Sequence, residues 1–324
     1  MRAMHCRAFG PIDDLVFEEA PRAPLQPDEV RIRVAACGVN FPDVLIVQGK
    51  YQFKPEPPFA PGGEVSGTVA EVGSAVEGWK VGDPVLATTL WGGFAEEVVA
   101  KADRLMRRPD TMDEVTAAGF ALTYGTSYHA LVQRAAIKPG ETLLVLGAAG
   151  GVGISAIQIA KALGARVIAA ASTPEKLEIA RAQGADDLVN YTEDGYRDRL
   201  KELTGGRGID VVYDPVGGDL FEPSLRSMAW NGRYLVVGFA SGEIPKVPAN
   251  LTLLKGCAVV GVFWGQFRRT EPEVDAENFG RLFDLHAAGK IKPLISATYP
   301  LAQAKEALHA LAERRVIGKI VLTV

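Results

Sequence analysis

Hydrophobic and polar positions alternate in short runs over the first third of the chain. Three such runs cover residues 30–34, 67–72 and 94–99, and glycine and proline cluster between them. A period of two is typical of half-buried strands, and short strands with frequent turns favour a small barrel or sandwich. The pattern therefore predicts a β-rich segment over residues 1–122.

The pattern changes after residue 122. From residue 142 onward, apolar strands alternate with segments whose apolar residues have the spacing of a helix. Helices are predicted over 152–163 and over 174–183, the second of them beginning after Ser172 or Thr173 as N-cap. This alternation predicts a parallel, doubly wound sheet in an α/β fold. The predicted strands are 143–146, 167–171, 211–214, 234–237 and, at the sheet edge, 259–263.

The last segment of the chain combines two helical patterns with a closing strand. The helices are predicted over 276–288 and 301–313, and the strand over 319–324. Periodicity alone does not say whether these elements return to the first domain.

Composition and charge narrow the class of protein. A length of 324 residues suggests two domains or one large one. The net charge is −4, and the sequence has no run of five basic residues. No nucleic-acid partner is therefore expected. Three widely spaced cysteines, no apparent secretory signal and no predicted membrane span favour a cytoplasmic protein without a membrane partner.

A glycine-rich loop follows the first predicted strand of the second segment and opens a helix. In the run 147–153 (GAAGGVG), Gly150 lets the backbone approach a pyrophosphate, and Gly153 lets the helix pack on the strand. The free N–H groups at the helix start favour phosphate charge. A tight turn without a ligand is the alternative. The sequence predicts that a dinucleotide binds to Gly150, Gly151, Val152 and Gly153.

The end of the second predicted strand indicates which dinucleotide binds. NAD-binding loops usually place an acid there, but this strand ends with Ser172, Thr173 and, one turn later, Lys176. Hydroxyls and an ammonium stabilise a 2′-phosphate, which an acid would repel. NADPH is therefore the predicted cofactor. Helix capping by the hydroxyls is compatible with this role, and the alternative for Lys176 is a solvated surface charge.

Several motifs together resemble a known family. They are the glycine loop and the runs 62–69 (GGEVSGTV), 82–85 (GDPV) and 92–96 (GGFAE). The whole chain is similar to the zinc-independent NADPH:quinone oxidoreductase (zeta-crystallin-like) branch of the medium-chain dehydrogenase/reductase superfamily. The resemblance implies a GroES-like catalytic domain, residues 1–122 and 266–324, and an inserted Rossmann domain, residues 123–265.

The resemblance also bears on zinc. Zinc-dependent relatives carry a Cys in Gly-Val-Cys-x-x-Asp and a His in Gly-His-Glu, where this chain has Asn40 and Gly63. Cys37 lies three residues before the first position, and no two histidines are spaced as a metal pair. Zinc needs three or four Cys, His or carboxylate ligands. We therefore expect no metal.

The expected chemistry follows from the expected absence of zinc. Alcohol oxidation relies on a metal to stabilise an alkoxide, whereas a quinone or enone delocalises the charge that hydride brings. The protein then mainly aligns NADPH and substrate. One alternative is an enoyl-thioester reductase, whose acyl-CoA would need a cationic patch such as Arg268 and Arg269, although a solvated pair is the simpler interpretation. A second alternative is a nucleotide- or RNA-binding crystallin-like protein. The excess of acidic over basic residues argues against RNA binding.

The resemblance implies three catalytic residues. Asn40 would hydrogen-bond the acceptor oxygen, Tyr51 would donate a proton or orient the substrate, and Thr126 would lie near the nicotinamide. Each has a structural alternative: a turn asparagine, an aromatic wall and a helix N-cap, respectively. His129 is predicted to be a packed histidine rather than an acid.

Further cofactor contacts are implied by the resemblance. Tyr191 would lie beside the adenosine 2′-phosphate, and Lys319 either reaches the cofactor or is a surface charge. The apolar strand 256–264 would suit edge-to-edge pairing, so a homodimer is expected. The remaining predicted cofactor contacts are Phe41, Thr126, Phe239, Phe263, Trp264 and Gly265.

Overall fold

The computed structural model describes all 324 residues, and the chain divides into two compact units. The first unit combines Met1–Leu122 with Ile295–Val324, and the second unit is Thr123–Leu294. The first unit is therefore built from both ends of the chain, and the second from one continuous segment.

Strands dominate the first unit, whereas strands and helices alternate in the second. The strands are β1 (Arg2–His5), β2 (Val16–Glu19), β3 (Glu29–Val39), β4 (Glu64–Val72), β5 (Pro84–Thr88), β6 (Glu97–Lys101), β7 (Leu105–Arg107), β8 (Thr142–Leu146), β9 (Arg166–Ala171), β10 (Asp187–Asn190), β11 (Ile209–Asp214), β12 (Met228–Val236), β13 (Ala258–Gly261), β14 (Ile295–Pro300) and β15 (Lys319–Thr323). The helices are α1 (Phe41–Val47), α2 (Glu114–Ala118), α3 (Ala121–Tyr128), α4 (Gly151–Ala162), α5 (Pro174–Ala182), α6 (Tyr196–Leu203), α7 (Phe221–Arg226), α8 (Ala249–Lys255), α9 (Trp264–Thr270), α10 (Pro272–Ala287) and α11 (Ala304–Ala312). None of the helices combines the length and apolar character needed to cross a membrane.

The long strand β3 organises the seven-stranded sheet of the first unit. On one side β3 pairs with β4; on the other it pairs with β6 over residues 29–33 and with β15 over residues 36–39. The β3–β4 register shifts twice, and such bulges bend a strand. The bent sheet encloses an apolar core that includes Met4, Ile32 and Phe94. The closing segment of the chain thus completes the sheet that the opening segment begins.

The second unit contains a six-stranded parallel sheet in the order β10-β9-β8-β11-β12-β13. In chain order this is the arrangement of a doubly wound dinucleotide-binding fold, which reverses direction between β8 and β11. Because all strands run the same way, the loops after them share one edge of the sheet. Those loops include residues 147–150, 172–173 and 237–248.

The observed elements confirm the predicted doubly wound sheet and place β13 at its edge. Thr173 is the N-cap of α5, where its Oγ1 accepts a hydrogen bond from the Lys176 N–H at 3.3 Å. The predicted strand over 94–99 differs, because β6 begins only at Glu97. Phe94 instead accepts a hydrogen bond from the Met4 N–H at 2.8 Å. The predicted helix 301–313 opens with a 3₁₀ turn, Leu301–Gln303, before α11.

Residues 266–294 lie in the second unit, whereas the predicted division placed them in the first. Helix α10 explains the difference, because Phe279 on α10 is buried with its ring centroid 6.2 Å from that of Trp264. On the same helix Asn278 accepts a hydrogen bond from Gln133 at 2.9 Å, and the Lys292 N–H beyond it donates to Gln158 at 2.8 Å. The chain therefore leaves the second unit only after residue 294.

Candidate active site

Asn40 lies at the junction of β3 and α1, where it is the N-cap of the helix and is only 6% exposed. Its backbone N–H donates to Asp43 Oδ2 at 2.8 Å. Its side-chain Oδ1 accepts from Lys319 Nζ at 2.6 Å, and its Nδ2 donates to Glu64 Oε2 at 3.1 Å and to the Gly38 carbonyl at 3.3 Å. Both hydrogens of the side-chain amide already have acceptors. A hydrogen bond from Asn40 to the substrate oxygen, as predicted, therefore requires one of these two bonds to be given up.

Glu64 and Lys319 form a buried ion pair at 3.3 Å, with side-chain exposures of 0% and 6%. The carboxylate accepts from the Leu122 N–H at 2.8 Å as well as from Asn40 and Lys319. The ammonium also donates to the Val39 carbonyl at 3.1 Å. The interpretation of Lys319 as a surface charge is therefore wrong, and its predicted contact with the cofactor stays a prediction.

Asp43 is the second buried carboxyl group of this cluster. Its Oδ1 accepts from the Gly62 N–H at 3.1 Å, and its Oδ2 accepts from the Asn40 N–H. Burial raises the pKa of Asp43 from 3.8 to about 7, although these hydrogen bonds and the charge of Lys319 act in the opposite direction. The carboxyl group therefore titrates near neutral pH inside the cluster.

Two aromatic residues predicted to be functional lie beside this cluster. Tyr51 is half-buried, with its ring centroid 6.2 Å from that of Phe53. Burial, and then the charge of Asp43, raises the pKa of Tyr51, so its hydroxyl keeps its proton at neutral pH. Phe41 is the first residue of α1 and is partly buried. The geometry brings Tyr51 within the electrostatic reach of Asp43, and the aromatic-wall and proton-donor interpretations are compatible.

The glycine loop of the second unit has two different requirements for glycine. A Cβ atom on Gly153 would lie 2.4 Å from the Gly147 carbonyl oxygen, so α4 packs on the loop only because this residue has no side chain. A Cβ atom on Gly150 would meet no atom of the protein closer than 3.4 Å, and the backbone φ there is −80°. No side chain caps the N-terminus of α4. Gly150 therefore leaves open space beside uncapped N–H groups, which fits a pyrophosphate.

The predicted 2′-phosphate residues gather at the end of β9. Ser172 and Thr173 follow this strand, and the backbone N–H of Tyr191 donates to the Ala171 carbonyl at 3.2 Å. Lys176 lies in the first turn of α5 and is partly buried, so the fully solvated alternative does not describe it. The three side chains and Tyr191 therefore share one end of the sheet. Their contact with the cofactor stays a prediction.

Three other residues singled out in the sequence have clear structural positions. Phe239 lies in the loop after β12 and is partly buried, at the same edge of the sheet. Thr126 lies inside α3, so its interpretation as a helix N-cap is wrong. His129 is 5% exposed and its ring stacks on Phe267 at 4.0 Å, and burial lowers its pKa to about 4. The prediction that His129 is a packed residue is confirmed.

Phe263, Trp264 and Gly265 lie where the chain enters α9. The buried Trp264 donates from Nε1 to Asp275 Oδ1 at 2.9 Å, and Arg268 donates from Nε to Asp275 Oδ2 at 2.9 Å. The Arg268 guanidinium also stacks over the Trp264 ring at 5.0 Å. Phe263 is 45% exposed, whereas the Trp264 side chain is anchored inside the second unit. The interpretation of Arg268 as a solvated charge is wrong, because its side chain is only 9% exposed.

Sequence reasoning missed Asp43 and Glu64 as members of the cluster. Glu64 lies in one of the motifs that carried the family resemblance, and Asp43 lies in the run that was compared with zinc-dependent relatives, but neither was singled out. Asp43 follows the N-cap Asn40 by three residues, the spacing of a capping box, and this pattern was a usable signal. The ion pair of Glu64 with Lys319 joins residues 255 positions apart, and no local pattern reports such a contact.

Family models match both parts of the chain. Residues 26–110 match the alcohol dehydrogenase GroES-like domain, and residues 151–278 match a domain described as zinc-binding dehydrogenase. These two matches correspond to the β-rich sheet around β3 and to the parallel sheet with its glycine loop.

Named relatives extend over nearly the full chain. The chain is 42% identical to quinone oxidoreductase-like protein 2 homolog of Nematostella vectensis, covering 99% of this chain and 88% of the relative. It is 33% identical to human quinone oxidoreductase over 95% of this chain and 92% of that protein. Among solved structures, Escherichia coli quinone oxidoreductase complexed with NADPH superposes with a TM-score of 0.93 at 32% identity, with both chains covered to 100%.

Replacing each of the two loop glycines with alanine should separate binding from folding. Gly153→Ala places a methyl group 2.4 Å from a carbonyl oxygen, so we expect about 1–3 kcal/mol loss of unfolding free energy. Gly150→Ala meets nothing closer than 3.4 Å, so stability should stay within about 0.5 kcal/mol. Its NADPH dissociation constant should rise about tenfold, because the methyl group occupies pyrophosphate space. Urea unfolding measures the stability of each variant, and fluorescence titration measures its affinity for NADPH. An unchanged NADPH affinity in Gly150→Ala would contradict the assignment of the pyrophosphate to this loop.

Asp43→Asn should change how stability depends on pH. Because the folded-state pKa of Asp43 is raised to about 7, its stabilising contribution is complete below about pH 4 and is lost as the pH rises through 7. The amide does not titrate, so the unfolding free energy of the wild type relative to the variant should fall across this window. Above about pH 7 this difference in unfolding free energy should no longer change with pH. The exposed Asp103→Asn serves as control, and a pH-independent difference for Asp43→Asn would show that the carboxyl group is ionised throughout.

Proposed function

Because the chain belongs to the quinone oxidoreductase branch of the medium-chain dehydrogenase/reductase superfamily, we propose that it transfers hydride from NADPH to a quinone or another conjugated carbonyl. The observation that carries the proposal is the buried cluster at Asn40, which is held by an ammonium group. Such a cluster can orient a carbonyl but offers no Lewis acid for an alcohol. A conjugated acceptor needs only to be oriented by the cluster, because it delocalises the charge that hydride brings.

The second unit supplies the groups that would hold NADPH. The uncapped N–H groups of Gly151, Val152 and Gly153 would hold the pyrophosphate, next to the open space at Gly150. Ser172, Thr173, Lys176 and Tyr191 would surround the 2′-phosphate. NADPH supplies hydride when it is bound. The complex of the Escherichia coli relative supports this assignment, because the likeness covers both chains completely.

We propose that no zinc takes part, although one matching domain is described as zinc-binding. Zinc-bearing relatives have Cys and His where this chain has Asn40 and Gly63. Of the two carboxyl groups in the cluster, Glu64 is paired with the Lys319 ammonium at 3.3 Å, and Asp43 accepts hydrogen bonds from two backbone N–H groups. An amide and two carboxyl groups that already have partners do not make the three or four ligands that zinc requires. No group of three or more His, Cys, Asp or Glu side chains is arranged to hold a metal ion.

A proton must follow the hydride, because a reduced quinone is first left with a negatively charged oxygen. Tyr51 is the donor that this proposal assigns: burial raises its pKa, so the hydroxyl is protonated at neutral pH. Asp43, with a pKa of about 7, lies close enough to influence Tyr51 and can hold a proton in reserve. Asn40 would orient the acceptor.

An acyl-CoA substrate has less support. The cationic patch it would need included Arg268, and this side chain is buried against Asp275 at 2.9 Å. It is therefore not available to phosphate groups, and only the exposed Arg269 remains of the pair.

We also propose a homodimer in the cytoplasm. Strand β13 is an edge strand of the parallel sheet, and edge strands offer unpaired backbone groups to a second strand. Helix α8, which leads into β13, exposes 79% of Leu253 and 70% of Leu254. A second copy would cover both features in a symmetric interface. The cytoplasmic assignment rests on three free cysteines, which fit a reducing compartment.

The activity test uses purified protein treated with a chelator. NADPH oxidation is followed by the absorbance of the reduced nicotinamide with 9,10-phenanthrenequinone, 1,4-benzoquinone, an alkenal and crotonyl-CoA in parallel. We expect turnover with the quinones, unchanged by the chelator. Preference for crotonyl-CoA would support an enoyl-thioester reductase instead. NADPH binding without turnover of any acceptor would support a binding protein.

The dimer can be tested at α8. Leu253→Lys/Leu254→Lys adds two charges to side chains that are 79% and 70% exposed, so the fold of one chain should tolerate them. We expect light scattering to report a dimer for the wild type and a monomer for this variant. Val81→Lys, at a position 66% exposed in the first unit, should remain a dimer. A monomeric wild type would exclude the proposed assembly.

A further inference from the structure

We propose that Lys319 is a built-in cation that replaces a metal ion in positioning Asn40 and Glu64 for the reaction. The proposal rests on the function proposed above and names a positioning residue for it. Lys319 would act through Asn40, which it holds in one orientation, rather than by touching the substrate.

Three oxygen atoms converge on the Lys319 ammonium group. They are Asn40 Oδ1 at 2.6 Å, the Val39 carbonyl oxygen at 3.1 Å and Glu64 Oε2 at 3.3 Å. An ammonium group has three N–H donors, so each hydrogen has one acceptor. The acceptors come from the end of β3, the start of α1 and the start of β4, and the lysine comes from the start of β15. One cation therefore joins four elements at the site.

The surrounding chain is shaped to admit this ion pair. A Cβ atom on Gly38 would lie 2.7 Å from Glu64 Oε2 and 2.1 Å from the Ala118 carbonyl oxygen, so only glycine leaves room for the carboxylate. Glu64 is fully buried, and the Leu122 N–H fixes its other oxygen at 2.8 Å. A buried carboxylate needs a partner charge. Lys319 supplies it from the other end of the chain.

The orientation of the Asn40 amide follows from the two charges. A donor, Lys319, faces its oxygen, and an acceptor, Glu64, faces its nitrogen. Rotating the amide by half a turn would place an N–H against the ammonium and an oxygen against the carboxylate. Both contacts are repulsive, so the ion pair selects one amide orientation. Without the ammonium, the oxygen side of Asn40 loses its donor.

The experiment removes the ammonium and then returns one in solution. Lys319→Ala leaves the three oxygens without a cation, and methylammonium can supply N–H donors in the vacated space. Tetramethylammonium carries the same charge but has no N–H, so it serves as the chemical control. Lys101→Ala removes an ion-paired lysine whose side chain is 59% exposed, and it serves as the matched variant. Melting temperature of the NADPH-free protein and kcat with a quinone are both measured.

For Lys319→Ala we expect a lower melting temperature and a kcat about 10- to 100-fold lower, the usual cost of removing an orienting partner. Methylammonium should raise both the melting temperature and kcat, whereas tetramethylammonium should raise neither. Lys101→Ala should behave as the wild type.

A double variant separates positioning from a purely structural role. Lys319→Ala/Glu64→Gln removes both charges, so no uncompensated carboxylate remains and the melting temperature should recover. Its kcat should stay low, and methylammonium should have no effect on it. Recovery of kcat together with stability would overturn the positioning role, as would a Lys319→Ala variant with wild-type kcat or without methylammonium rescue.

Failure of the proposed function would be recognised separately. It would show as a wild-type protein that turns over no acceptor, before any variant is compared. The melting-temperature rescue by methylammonium uses no substrate and no NADPH, so it tests the cation site in either case. Absence of that rescue in a folded Lys319→Ala protein would refute the built-in cation on its own.

Discussion

The ion pair between Glu64 and Lys319 is the interaction on which the first unit depends. The two residues are 255 positions apart, and their pairing ties the closing strand of the chain to the sheet that the opening segment forms. Removing two charges from water costs several kcal/mol per ion unless hydrogen bonds replace the lost hydration. Here Asn40, Val39 and Leu122 complete that set. The same contacts that make the pair tolerable also immobilise the candidate catalytic amide.

The second unit meets a different constraint, which is the approach of backbone to phosphate. Parallel strands bring their following loops to one edge, and the loop after β8 is compact because Gly153 packs directly against the Gly147 carbonyl. The N-cap of α4 is Gly150, which has no side chain to cap the helix and leaves the space beside it open. Elsewhere in the second unit, Trp264 and Arg268 both donate hydrogen bonds to Asp275, and these bonds hold α9 against α10.

Local sequence patterns predicted much of this arrangement. They could not predict contacts between residues that are far apart in the sequence. The turn at the glycine loop and the N-cap at Thr173 depend on neighbours in sequence, and the structure confirms them. The burial of Lys319 and Arg268 depends on partners that no periodicity reveals. Lys319 was left open between a cofactor contact and a surface charge, and Arg268 was expected to be solvated. The compact units of the structure also differ from the predicted domain division at residues 266–294. An amphipathic helix shows which face is apolar but not which core receives it.

On the proposal that no zinc takes part, the cluster at Asn40 accounts for how a fold shared with metal-using enzymes would work without the metal. A zinc ion would supply two things at this point: a fixed cation that orients its ligands, and a Lewis acid that stabilises an alkoxide. The Lys319 ammonium, 2.6 Å from Asn40 and 3.3 Å from Glu64, can supply only the first. A conjugated carbonyl needs only the first, because its own π-system carries the charge that hydride delivers. If an amine replaces the metal as proposed, the chemistry would be restricted to acceptors whose own conjugation stabilises the charge.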